Sequence, residues 1–273
     1  MRRHLLLLMV IVAACGGSGD TGPFPADAFG LAASSDLAVG EERLLVAVSD
    51  VDGTRLASPD VPVTVEVWPE GSEDRVQGEA GRFIWAVEGR SGLYAVTVEF
   101  DRSGLWMVRI TPDGGPALEA FPVQVNARPA TVAVGDDAPR SQTPTLADAP
   151  LSEITSDDDP EPDLYRMSVA DAVTSGRPSV IVFATPAFCT TATCGPTLDG
   201  VAAMAPDHPG VNFVHVEVFT NLLDPANLVV APAVMEWGLP TEPWVFVVDA
   251  TGVVTARFEG VVTPEELTNA LGE

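Results

Sequence analysis

Lysine is absent from this chain of 273 residues: all 14 basic side chains are arginine, against 39 Asp and Glu, for a net charge of −25. Such a surface repels phosphate backbones and anionic headgroups, which excludes DNA and RNA as partners. Long apolar runs are also scarce. The run Leu5–Val12 at the start holds eight residues, well short of the roughly 20 that cross a bilayer as a helix. Histidine and cysteine number three each. Residues 28–128 contain no histidine and only Met107, so they lack the soft donor set of a copper site. Asp157-Asp-Asp159 has neither the spacing nor the closing Glu of an EF-hand, which excludes that calcium loop.

What is present divides the chain into five parts. Arg2 and Arg3 precede the short apolar core, and Val12-Ala-Ala-Cys15 follows it, the order of a secretory signal with a cleavage point. The segment resembles the lipobox of bacterial lipoproteins. That resemblance implies cleavage before Cys15, lipid on the Cys15 thiol, and a mature protein held outside the cytoplasm on the cell membrane. The expected organisation is a signal over 1–14, a tether over 15–27, an all-β region over 28–128, an acidic Pro-rich linker over 129–163 and an α/β region over 164–273. With 46% hydrophobic residues, the chain is long enough for two cores.

The all-β reading rests on six short runs rich in β-branched and aromatic residues, from Leu44–Val48 to Phe121–Val125. They are separated by Asp52-Gly53, Glu70-Gly71, Ser103-Gly104 and Asp113-Gly-Gly115. Tyr94, Val96, Val98 and Phe100 alternate with polar or small neighbours, and Trp106, Val108 and Ile110 likewise fall on every second position, so each set faces one core. Gly92-Leu-Tyr94 and Gly104-Leu-Trp-Met-Val108 resemble the immunoglobulin-like modules of exported bacterial proteins. The expected class is an immunoglobulin-like sandwich serving as spacer or docking domain. The linker, rich in Pro, Asp, Ser and Thr from Gly135 to Pro162, lacks apolar periodicity and reads as a solvated connector.

The second half reads as a capped helix from Ser168, a strand Ser179–Ala184, a loop with Cys189 and Cys194, and a helix over Thr197–Ala205. A strand over Val211–Phe219, a short helix over Ala231–Trp237, a hairpin around Asp249-Ala-Thr-Gly252 and a helix opened by Thr263-Pro-Glu-Glu266 follow. This order resembles the thioredoxin fold across Leu164–Leu271, so the expected class of this half is α/β, thioredoxin-like. The resemblance implies that Cys189 and Cys194 are the redox pair. It also implies that Pro243, in Gly238-Leu-Pro-Thr-Glu-Pro243, is the cis-proline bordering the substrate groove. His215 falls near the position beneath the site, as a proton relay or as a hydrogen-bonded core residue, with Glu217 on its face as a possible partner.

The Cys pair has four intervening residues where thioredoxins have two. The separation is similar to that of the bacterioferritin-comigratory peroxiredoxins, but Thr185 lies four residues before Cys189 rather than three, and Pro243 stands where their activating Arg would fall. Sco-type copper chaperones match partly, through paired cysteines and a distant His. The expected activity is thiol–disulfide exchange with protein thiols or disulfides outside the cytoplasm, needing no cofactor or metal. A thiol peroxidase, a copper chaperone or a non-catalytic binding lipoprotein are the alternatives. A cysteine at a helix N-terminus is favoured as thiolate. A helix beginning near Pro196 gives Cys194 that position, and one beginning near Thr190 gives it to Cys189. A static disulfide remains the non-catalytic reading of the pair.

Overall fold

A computed structural model describes residues 22–72 and 77–272; Cys15 and the segment 1–14 lie outside them. The N-terminal half contains β1 (Phe29–Ala32), β2 (Leu37–Ala38), β3 (Gly40–Ser49), β4 (Val63–Pro69), β5 (Gln77–Val87), β6 (Ser91–Phe100), β7 (Gly104–Pro112) and β8 (Phe121–Asn126). They form one curled sheet in the order β1-β3-β6-β5-β4-β7-β8-β2. The curl is made in β5. Its residues 77–81 pair with β4 and residues 82–87 with β6. At the changeover stands Gly81, where a Cβ would lie 2.6 Å from Val63 Cγ2 and 3.1 Å from Tyr94 Cβ. A strand that changes layers needs such a corner. The layer β1-β3-β6-β5 then faces β4-β7-β8, with β2 added in parallel to β8, the strand arrangement of an immunoglobulin-like sandwich.

The alternation legible in the sequence fills the sandwich. Trp106, Val108 and Ile110 of β7 point inward and are fully buried, as are Tyr94 and Phe100 of β6. Trp106 meets Phe100 edge-on at 4.9 Å and donates its indole N–H to Arg102 O at 3.1 Å. Tyr94 donates its hydroxyl to Val61 O at 2.8 Å and accepts Ser58 N–H at 3.1 Å. Aromatic rings supply the largest apolar burial here, and each polar tip has a partner.

The C-terminal half contains α1 (Leu151–Ile154), α2 (Val169–Thr174), β9 (Ser179–Ala184), α3 (Cys194–Met204) and β10 (Asn212–Glu217). The short β11 (Phe219–Thr220) and β12 (Val229–Val230), then α4 (Pro232–Glu236), β13 (Trp244–Val248), β14 (Val254–Glu259) and α5 (Pro264–Leu271), complete it. The main sheet runs β10-β9-β13-β14, with β9 and β10 parallel and β13 antiparallel to both β9 and β14. Every residue of β9 is buried, because both faces are covered. Ile181 and Phe183 pack with α2, α4 and Trp237, while Val180, Val182 and Ala184 pack with α3 and α5. Capping boxes at Ser168 and Thr263 start α2 and α5, which satisfies their first free amides. Among the described residues no helix is long and apolar enough to cross a membrane.

The linker departs from its reading as a solvated connector. Val132 N–H bonds Trp237 O at 3.2 Å, Gly135 N–H bonds Val254 O at 2.8 Å, and Ala138 N–H bonds Gly252 O at 2.8 Å. Ala138, Ser141 and Ile154 are buried. Gly238, at φ +66°, admits the Ala130 carbonyl to 2.3 Å from where a Cβ would stand. Its apolar residues are spaced too irregularly to show a period, yet Ala138 and Ile154 find holes in the α/β core, and backbone groups of the segment find partners there.

The two halves are also clamped together. Arg257 of β14 donates to Asp36 Oδ2 and Thr131 Oγ1, both at 2.8 Å, to Asp36 O at 2.9 Å and to Glu42 Oε1 at 2.5 Å. Arg43 of β3 grips Glu266 Oε1 at 2.7 Å and Val261 O at 2.8 Å. The side chains of Arg257 and Asp36 are 7% and 2% exposed, so these are charges removed from water, viable only because their hydrogen-bonding sites are filled.

Candidate active site

The end of β9 sets the geometry. Thr185 O accepts the N–H of Phe188 at 3.1 Å and of Cys189 at 2.9 Å, a turn that stops the strand and carries Cys189 out of the core. Cys189 is half-buried, whereas Cys194 is fully buried; both are free thiols. Between them Ala192 takes φ +59°, a left-handed conformation that costs a residue with a Cβ roughly 1–2 kcal/mol. Helix α3 begins at Cys194, and its N-cap Thr193 makes no side-chain capping bond. The Thr193 hydroxyl instead meets the Thr191 hydroxyl at 2.7 Å, and Thr191 Oγ1 lies 3.2 Å from Cys189 Sγ.

These contacts decide which sulfur is the anion. The Cys194 thiol hydrogen-bonds toward Cys189 and is the largest influence drawing its pKa down to about 4, helped by the Thr191 hydroxyl and by the backbone amides of Cys194 and Thr191 against the opposing effect of burial. Cys194 moves the other way, held protonated by Cys189 and by burial. Helix position alone would have favoured Cys194. The first amide of α3 points at the neighbouring sulfur instead, so the positive end of the helix acts on Cys189.

Pro243 follows a cis peptide bond from Glu242. The Pro243 loop shares a cleft with the cysteine loop, and the Glu242 carboxyl is raised in pKa by burial and then by the negative charge of Cys189. Thr191, Thr193, Thr241 and Glu242 line one side of a cleft of about 350 Å³ whose other side is the outer face of the sandwich.

His215 and Glu217 form a separate buried cluster. Tyr165 donates its hydroxyl to His215 Nδ1 at 2.8 Å, and Nε2–H donates to Ala184 O at 3.1 Å, which fixes the neutral tautomer. Burial depresses the His215 pKa to about 4, opposed by its bond to Ala184. Glu217 is not its partner. Residues two apart on one strand stand roughly 7 Å apart, both ring nitrogens are taken, and Glu217 Oε2 accepts Ser156 N–H at 2.7 Å. Burial raises the Glu217 pKa, opposed by the Thr185 hydroxyl and the Ser156 amide.

The structure thus brings Cys189, Cys194 and the Pro243 loop together and leaves His215 turned to Tyr165 and Ala184. Thr191, Thr193, Glu242 and Tyr165 were not singled out from the sequence. The hydroxyl-rich run Thr190-Thr-Ala-Thr193 between the cysteines was the available signal for the first two. Among the described residues, no group of three or more His, Cys, Asp or Glu converges as a metal-holding set.

No protein-family model matches the chain, and no curated protein matches it. Solved structures similar to parts of it include the Lin-41 filamin domain, 14% identical, covering 39% of this chain and 99% of that one at a TM-score of 0.24. A putative superoxide reductase from Thermotoga maritima is 13% identical, covering 36% and 86% at 0.24. The superoxide reductase (neelaredoxin) of Ignicoccus hospitalis is 10% identical, covering 37% and 82% at 0.23.

Proposed function

We propose that the protein is a thiol–disulfide oxidoreductase, with a thioredoxin-like C-terminal half, anchored outside the cytoplasm through lipid on Cys15. The observation that carries the reading is the asymmetry of the pair: an accessible Cys189 with its pKa drawn to about 4 beside a buried, protonated Cys194. The Cys189 thiolate attacks one sulfur of a substrate disulfide. That S–S bond breaks, and the second substrate sulfur leaves as thiolate. Cys194 then gives up its proton and attacks Cys189 Sγ, closing the Cys189–Cys194 disulfide and releasing the first substrate sulfur. The substrate disulfide is reduced by two electrons and the Cys pair is oxidised by two; the reverse sequence oxidises a dithiol. A stabilised thiolate favours the reduced form of the pair, which makes its disulfide the stronger oxidant.

The groups acting on the Cys189 sulfur among the described residues are a thiol, a hydroxyl and backbone amides, which supports exchange over peroxide reduction. Trapping tests the reading. Cys194→Ser accumulates a mixed disulfide through Cys189 when mixed with an oxidised protein substrate, and Cys189→Ser accumulates none. Equal trapping by both variants, or a native disulfide that strong reductant leaves intact, contradicts it.

A further inference from the structure

The cleft beside the cysteine loop has one wall from each half of the molecule. Its sandwich wall is apolar: Leu31, Leu45, Ala47, Ala86 and Leu93 line it. Along β3 the wall is Leu45, whose amide bonds Ser34 Oγ, and Ala47, and its far end is Arg55, which pairs with Ser49 four residues on from Leu45. Four residues of strand span about 13 Å. The two ends carry opposite charge. At the Ser34–Ser35 end, the Glu259 carboxylate accepts Ser35 N–H at 2.7 Å, the Ser35 hydroxyl and Thr241 Oγ1–H at 2.8 Å, while the Arg43 guanidinium binds the Glu259 carbonyl at 3.2 Å. Glu242 stands on the same side, next to Thr241 and within the influence of Cys189. Arg55, which also lines the cleft, is exposed at the other end.

A site of this length, with an apolar floor and two acids near the reactive sulfur, matches an extended chain better than a compact ligand. Four residues of extended polypeptide cover the same ~13 Å, and side chains on one face of such a segment meet the floor while charged groups at its ends meet Glu242, Glu259 and Arg55. The Arg257 and Arg43 clamps hold the two walls in register, so the cleft is a preformed feature and the sandwich is part of the site.

We propose that this cleft binds an extended segment of a partner polypeptide, about four residues long, with a basic side chain at Glu242 and Glu259 beside the cysteine that Cys189 attacks, and an acidic group at Arg55. The inference rests on the exchange reading above. It assigns the sandwich the role of substrate selection.

Two peptides test it, each carrying one cysteine as a mixed disulfide with thionitrobenzoate, followed by a four-residue segment with two apolar residues between two charged ones. The matched peptide has Lys beside the cysteine and Glu at the far end; the second has these charges exchanged. Cys189 attacks the peptide sulfur and expels coloured thionitrobenzoate, and Cys194 then releases the peptide thiol and closes the protein disulfide. The full chain is expected to release dye about tenfold faster from the matched peptide, with the preference fading at high salt. Arg55→Glu is expected to abolish the preference between the two peptides, and its thermal unfolding midpoint, compared with that of the native chain, reports that the variant is folded. Equal rates for the two peptides, or the neutral thionitrobenzoate mixed disulfide of mercaptoethanol releasing dye as fast as the matched peptide, overturn the cleft assignment and leave the exchange reading standing. No release from any of the three overturns both.

Discussion

In the sandwich, Tyr94 and Trp106 each bury a polar atom and each supplies it with a partner. In the α/β half, Thr197 Oγ1 is buried with none, and the Glu217 carboxyl is buried with its pKa raised. The same half holds the free thiols and Ala192 at φ +59°. Local rules are obeyed in one region and broken in the other, and the breaks cluster around the cysteine loop, where the thiolate also sits. Unsatisfied buried atoms and left-handed backbone persist only when the surrounding packing over-determines them. Here the surroundings include the sandwich itself, through Arg43 and Arg257.

The largest stability effect should come from cutting that support. Arg257→Ala leaves Asp36 and Glu42 buried without their cation, and a loss of about 3–5 kcal/mol is expected in urea unfolding, with one cooperative transition becoming two as the halves separate. Arg102→Ala, which removes an exposed pair with Asp101, should leave the midpoint where it is. Unfolding of Arg257→Ala in a single unshifted transition would show that the halves do not support one another.

A second effect distinguishes the halves by pH. The His215 pKa falls from 6.5 to about 4 on folding, so its contribution is complete above 6.5 and is lost as pH falls toward 4, by about 3 kcal/mol in all. Glu217 has the opposite sign: its raised pKa means that ionisation above its unfolded value opposes folding. Stability measured across pH 4–7 should therefore flatten in His215→Phe, whereas Glu217→Gln should gain stability at neutral pH and match wild type in acid. A wild-type acid dependence surviving in His215→Phe would contradict the neutral, buried histidine.

The smallest effect concerns Ala192. Ala192→Gly relieves the left-handed strain but adds unfolded-state freedom, for a net gain below about 1 kcal/mol; a clear loss in thermal unfolding would mean that the Ala192 methyl packs rather than strains.

The parts of this architecture that could be read from sequence are those governed by neighbours in the chain. Alternation in β6 and β7, the all-apolar β9, the capping boxes at Ser168 and Thr263 and the Asp249–Gly252 turn all obey short-range rules. The strands β1 and β2 are too short to show alternation, and their partners are distant. The packing of the linker leaves no local signature, because Ala138 and Ile154 are isolated apolar residues whose burial depends on surfaces far along the chain. The clamp joins Arg257 to Asp36 across 221 positions, a pairing that no local pattern carries. At the site, the positions of Cys189, Cys194 and Pro243 could be singled out, but the choice of anion could not. It depends on where α3 starts and on an amide of that helix pointing at the sulfur outside it.

That choice is the centre of the account, and a pH titration of cysteine reactivity tests it directly. Under limiting iodoacetamide, with mass mapping of each cysteine, Cys189 is expected to be labelled with a midpoint near pH 4 while Cys194 stays unlabelled in the folded protein through the alkaline range. Labelling of Cys189 with the ordinary thiol midpoint of about 8.5, or of Cys194 ahead of it, would contradict the account.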